Sequence, residues 1–104
     1  MEIILKTINK GYSITTDGTI HYLNFGKINK GEAQTAVVGF KDITAKTFSL
    51  QPTCGCTTTA KKIISPTEVE YTITFSGRAT LPKTLIITNN NKQIQFKIDG
   101  HIQG

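Results

Sequence analysis

The stretch Val69-Glu70-Tyr71-Thr72-Ile73-Thr74-Phe75 puts Val69, Tyr71, Ile73 and Phe75 on one face of an extended chain, and Glu70, Thr72 and Thr74 on the other. Strict period-two alternation marks a strand with one face buried and one face wet. Near the C-terminus Ile94, Phe96 and Ile98 alternate in the same way with Gln93, Gln95, Lys97 and Asp99. Between these segments Lys83–Thr88 reads as another strand. It joins the last one through Asn89-Asn90-Asn91-Lys92, whose asparagines tolerate the left-handed backbone of a hairpin turn.

Working outward from that C-terminal half, Gln34–Phe40 predicts a strand burying Ala36, Val38 and Phe40, entered through the turn Asn29-Lys30-Gly31-Glu32. Lys46–Leu50 predicts another, burying Phe48 and Leu50, and Tyr22–Phe25 one with Leu23 and Phe25 inward. Asp17-Gly18 predicts a hairpin joining Tyr12–Thr16 to Thr19–Leu23, and the first eight residues, with Ile3, Ile4, Leu5 and Ile8, suit one more strand. No segment carries the i, i+3, i+4, i+7 apolar spacing of an amphipathic helix. The composition agrees: Thr occurs 17 times and Ile 15 times against five Ala and five Leu, and β-branched side chains favour a pleated surface. The expected fold is all-β, an immunoglobulin-like antiparallel β-sandwich of about seven to nine strands.

A chain of 104 residues fits one domain, 1–104, with 1–21 read as a β-rich N-terminal extension. No apolar run approaches the roughly 18 residues of a membrane helix, and Met1–Lys6 lacks the basic start and apolar centre of a secretory leader. The net charge is +5, carried by 11 Lys spread along the chain and the lone Arg78. Without a basic block or several bidentate arginines, a nucleic-acid partner is not expected. A basic surface meeting an acidic protein partner is.

The one unusual local feature is Pro52-Thr53-Cys54-Gly55-Cys56-Thr57-Thr58-Thr59. If extended, Cys54 and Cys56 have Cα atoms about 6.6–6.8 Å apart, at the far edge of the 4.4–6.8 Å disulfide range, so a bond requires Gly55 to turn the chain. A zinc site needs four ligands, and His21 and His101 lie far from the pair in sequence. Two thiolates alone suit a soft ion such as Cu(I) or redox chemistry. The leading reading is packing, with two small side chains filling a tight crossing and Gly55 allowing close backbone approach. Cys54, Gly55, Cys56 and Thr57 are therefore motif residues with packing as the first role and metal or redox chemistry as the second. The acidic residues flank turns or lie on wet strand faces, and no nucleophile motif or phosphate-cradling glycine loop accompanies the histidines. No catalytic residue, metal or cofactor is expected.

The segments Phe25-Gly26-Lys27-Ile28-Asn29-Lys30-Gly31-Glu32, Pro52–Thr58, and Ile64-Ser65-Pro66-Thr67-Glu68 before a strand resemble the bacterial domain of unknown function 1573. The final hairpin, closing with Phe96-Lys97-Ile98-Asp99-Gly100-His101-Ile102, fits the same pattern. The resemblance spans about Tyr22 to Ile102 and departs where Thr67 replaces the usual turn glycine. It implies an immunoglobulin-like fold related to the major-sperm-protein and pilus-chaperone type, an adhesive or assembly habit, and Cys54 and Cys56 as hallmark residues. Family members are typically exported or lipid-anchored.

Together these features predict a non-enzymatic assembly module present in many copies. The first expectation is a bacteriophage virion protein, a capsid auxiliary or decoration protein binding other virion proteins. The alternative is a binding module of the cell envelope, in the periplasm or at the cell surface, with a metal- or redox-active Cys-Gly-Cys pair. The expected contact mode is strand addition through Ile3, Ile4, Leu5 and Lys6, where an edge strand offers free N–H and C=O groups.

Overall fold

A computed structural model describes all 104 residues. Nine strands follow one another: β1 Glu2–Leu5, β2 Ser13–Asp17, β3 Ile20–Asn29, β4 Ala33–Lys41, β5 Ser49–Pro52, β6 Thr57–Ser65, β7 Glu68–Ser76, β8 Lys83–Asn89 and β9 Lys92–Gln103. They form a four-stranded sheet in the order β1-β4-β7-β6 and a five-stranded sheet in the order β2-β3-β9-β8-β5. The first order is that of strands A, B, E and D of an immunoglobulin domain, and β5, β8 and β9 take the places of C, F and G.

Alternation drives the packing. Val69, Tyr71, Ile73 and Phe75 of β7 are buried, and so are Ala36, Val38 and Phe40 of β4 opposite them and Leu85, Ile87, Phe96 and Ile98 from the other sheet. All five phenylalanines, Phe25, Phe40, Phe48, Phe75 and Phe96, are fully buried. Phe40 sits at the hub: its ring centroid lies 4.9 Å from that of Phe48 and 6.0 Å from those of Tyr71 and Phe96. Each such side chain contributes about 1.5–3 kcal/mol by leaving water, with a further increment from the aromatic contacts.

Several expectations are corrected. The sandwich is not wholly antiparallel, because β3, joined to β2 by a hairpin in the same sheet, runs parallel to β9. The pairing shifts register between Asn24 and Lys27, where Gly26 adopts φ +71° and forms a bulge. The strand expected at Lys46–Leu50 begins only at Ser49, since Phe48 N–H turns back to the Thr44 carbonyl at 3.0 Å. The first hairpin turns at Gly18-Thr19, one residue later than expected, with Gly18 at φ +62°. The Asn90-Asn91 turn carries both residues at positive φ, as expected. Residues 1–21, read as a β-rich N-terminal extension outside the family motif, supply β1 to one sheet and β2 to the other.

Strand β6 was not anticipated. Its sequence, Thr57-Thr58-Thr59-Ala60-Lys61-Lys62-Ile63-Ile64-Ser65, has no apolar alternation, because an outermost strand covered on little of its surface needs none.

Candidate functional site

The Cys-Gly-Cys loop joins β5 to β6. Thr53 anchors its start, with both its N–H and its hydroxyl directed at the Thr84 carbonyl, at 3.3 and 2.7 Å. The chain then turns, bringing the Cα atoms of Cys54 and Cys56 to 5.3 Å, and the two sulfurs are bonded to each other. Thr57 N–H donates to the Cys54 carbonyl at 3.3 Å, and Ser76 N–H to the Cys56 carbonyl at 2.8 Å, which locks the loop to the end of β7. Cys56 N–H points at Cys54 Sγ at 3.1 Å, and Thr57 Oγ1 lies 3.6 Å from Cys56 Sγ.

The four motif residues are covered to different extents. Cys56 touches the core and Thr57 is buried, but both cysteines are only partly covered and a Cβ placed on Gly55 would meet nothing within 4 Å. Gly55 serves the turn and admits no neighbouring backbone. No three His, Cys, Asp or Glu side chains converge anywhere in the chain. His21 instead pairs with Thr16 Oγ1 at 2.9 Å, and burial lowers its pKa.

At the N-terminus β1 pairs with β4 from Glu2 opposite Lys41 to Leu5 opposite Val38. Ile3 and Leu5 pack on the core, so they are not free for a partner. Ile4 lies opposite Gly39, on the sheet's outer side, and Lys6 reaches Glu70 at 2.6 Å and Glu68 at 3.3 Å. What remains open to a neighbour here is the outer backbone edge of β1.

The edge strands differ in how they are protected. On β5, the Leu50 N–H donates to the Tyr71 hydroxyl at 3.1 Å, the Leu50 carbonyl accepts from Thr59 Oγ1 at 3.2 Å, and the Phe48 carbonyl accepts from Lys61 Nζ at 2.6 Å. Side chains of the opposite sheet thus close that edge. On β6, by contrast, no strand pairs beyond it, and Ile63 and Ile64 stand 58% and 42% exposed beside Lys62. Ile63 and Ile64 thus leave apolar surface uncovered on an edge strand beside a lysine. The sequence signal was the run Lys61-Lys62-Ile63-Ile64, whose two isoleucines point to opposite faces of a strand and so cannot both be buried in one sheet layer.

One open cleft of about 570 Å³ lies between the β2–β3 turn and the start of β9, lined by Thr19, Ile20, Lys92, Gln93, Ile94 and Gln95. Lys92 is its one ionisable side chain, so it holds no acid–base pair.

No model of a known protein family and no curated protein matches the chain. Among solved structures, the S-layer protein SbsC matches in two forms. Its domains 4 and 5 align at 16% identity and a TM-score of 0.43, covering 96% of this chain and 54% of that one. Its domains 1–6 align at 18% identity and a TM-score of 0.43, covering 99% of this chain and 14% of that one.

Proposed function

We propose that this β-sandwich is a non-catalytic assembly module, present in many copies in a protein layer, that docks an acidic protein surface through the outer edge of β6. The observation that carries this reading is the exposure of Ile63 and Ile64 on an edge strand that no other strand covers, beside Lys62 and on a chain of net charge +5. An apolar centre supplies affinity and a positive rim steers an acidic partner. Membership of the domain of unknown function 1573 family is part of the same proposal, supported by the Cys-Gly-Cys loop that follows β5.

Two settings supply such a layer. A virion is the expectation from the sequence. The closed Cys54–Cys56 bond favours the second setting, the cell envelope, because disulfides persist on the oxidising side of a membrane. Quantitative mass spectrometry of purified particles and of envelope fractions from the producing cells tests both. Many copies in one of these fractions support the module and choose its setting; recovery only as free protein overturns it.

A further inference from the structure

The disulfide loop has chemistry that the docking surface does not use. We propose that Cys54–Cys56 is a thiol–disulfide exchange site for a dithiol, with Cys54 as the sulfur attacked and Cys56 as the sulfur that leaves. This rests on the loop alone and stands or falls independently of the β6 edge.

Three observations assign the roles. A ring with a single intervening residue removes little entropy from the unfolded chain, so the bond adds little as a structural staple. Both cysteines are partly covered, but Cys56 packs against the core and Cys54 does not, so an incoming thiolate reaches Cys54 the more readily. Thr57, 3% exposed and held at the start of β6, keeps its hydroxyl 3.6 Å from Cys56 Sγ, while the Cys56 N–H, 3.1 Å from Cys54 Sγ, is placed to receive the Cys54 thiolate expelled in the second step. As negative charge develops on Cys56, that hydroxyl donates to it, and a hydrogen bond to a charged acceptor is stronger than one to a neutral sulfur. A better stabilised leaving thiolate departs faster.

The electrons balance with the dithiol as reductant. Its first thiolate forms a bond to Cys54 Sγ, the Cys54–Cys56 bond breaks, and the electron pair leaves on Cys56 Sγ. The second thiol of the partner, deprotonated, then attacks its own sulfur in the mixed disulfide and expels Cys54 as a thiolate. The two protons released by the dithiol end on Cys54 and Cys56. The partner is oxidised by two electrons and this chain is reduced by two.

The test uses the full oxidised chain at neutral pH. Dithiothreitol reduction, followed by free thiols while circular dichroism reports the fold, is expected to proceed in the folded protein. Thr57→Val should slow it about tenfold, the worth of one charge-assisted hydrogen bond, while Thr57→Ser should keep most of the native rate. In a second arm glutathione is added with iodoacetamide, and peptide mass spectrometry should place glutathione on Cys54 and the alkyl group on Cys56. Reduction that requires unfolding, an unchanged rate in folded Thr57→Val, or glutathione on Cys56 would each overturn the assignment. Should Thr57→Val fail to fold, the site of the glutathione adduct in the native chain decides.

Discussion

Lys6 and Glu70 meet across a glycine. The Lys6 ammonium lies 2.6 Å from the Glu70 carboxylate, and the residue beneath the reaching side chain is Gly39, which pairs with Ile4 on one side and Glu70 on the other. A Cβ at Gly39 would stand 2.7 Å from Lys6 Cε. Gly39, in the middle of β4, thus lets one lysine strap the segment after β1 to β7.

That strap makes a pH prediction. The hydrogen bond from Lys6 holds the Glu70 carboxyl below the usual carboxylate range, and the same bond raises Lys6. A depressed carboxyl contributes stability above its unfolded value and loses it as pH falls through the folded one; a raised lysine loses its part only as pH rises through its folded value. Both groups are exposed, so the effect is small. The difference in melting temperature between the native chain and Glu70→Gln should be present at neutral pH and vanish as the pH falls through the lowered range of the Glu70 carboxyl. A difference that persists in acid would show that Glu70 acts by packing.

Two glycines should respond unequally to alanine. A Cβ on Gly77 would press on the backbone of Glu32 and lie 3.2 Å from the Asn29 carbonyl oxygen, whereas one on Gly55 would meet nothing within 4 Å. Gly77→Ala is expected to cost about 1–3 kcal/mol and Gly55→Ala about 0.5 kcal/mol or less in urea unfolding. Equal costs would contradict the placement of the Cys-Gly-Cys turn in open space.

Tyr71→Phe removes the hydroxyl oxygen to which the Leu50 N–H donates, at 3.1 Å, while leaving the ring contacts with Phe40 and Phe48 in place. A buried donor left without a partner costs about 1–3 kcal/mol. Denaturant unfolding measures this loss, and faster hydrogen exchange at the Leu50 amide would locate it.

At the N-terminus, Leu5→Ala should cost about 1–3 kcal/mol because Leu5 packs on the core, while Ile8→Ala, at a residue fully in solvent, should change almost nothing. The same comparison separates a strand that completes its own sheet from a segment held in reserve for a neighbour.

These contrasts show which parts of the molecule were legible in its sequence. The inner faces of β4, β7 and β9 were, because burial on one side alone writes period two into a strand. The parallel pairing of β3 with β9 was not: it joins strands far apart in sequence and contains the bulge at Gly26, neither of which leaves an apolar pattern. Strand β6 was hidden because an outermost strand has little to bury. At the candidate site, the Cys-Gly-Cys motif stood out by composition, but whether its sulfurs met depended on the turn at Gly55. Ile63 and Ile64 were passed over because two adjacent isoleucines resemble an ordinary buried run until their strand is known to lie at an edge.

The β6 edge is tested most directly by a tagged chain carrying Ile63→Ser and Ile64→Ser, produced beside the tagged native chain in the cells that assemble the layer. Both residues are exposed, so the melting temperature should hold. Sedimentation of purified assemblies should then carry down the native chain and leave the double variant behind. Equal recovery of the two in the assembled fraction would contradict the account.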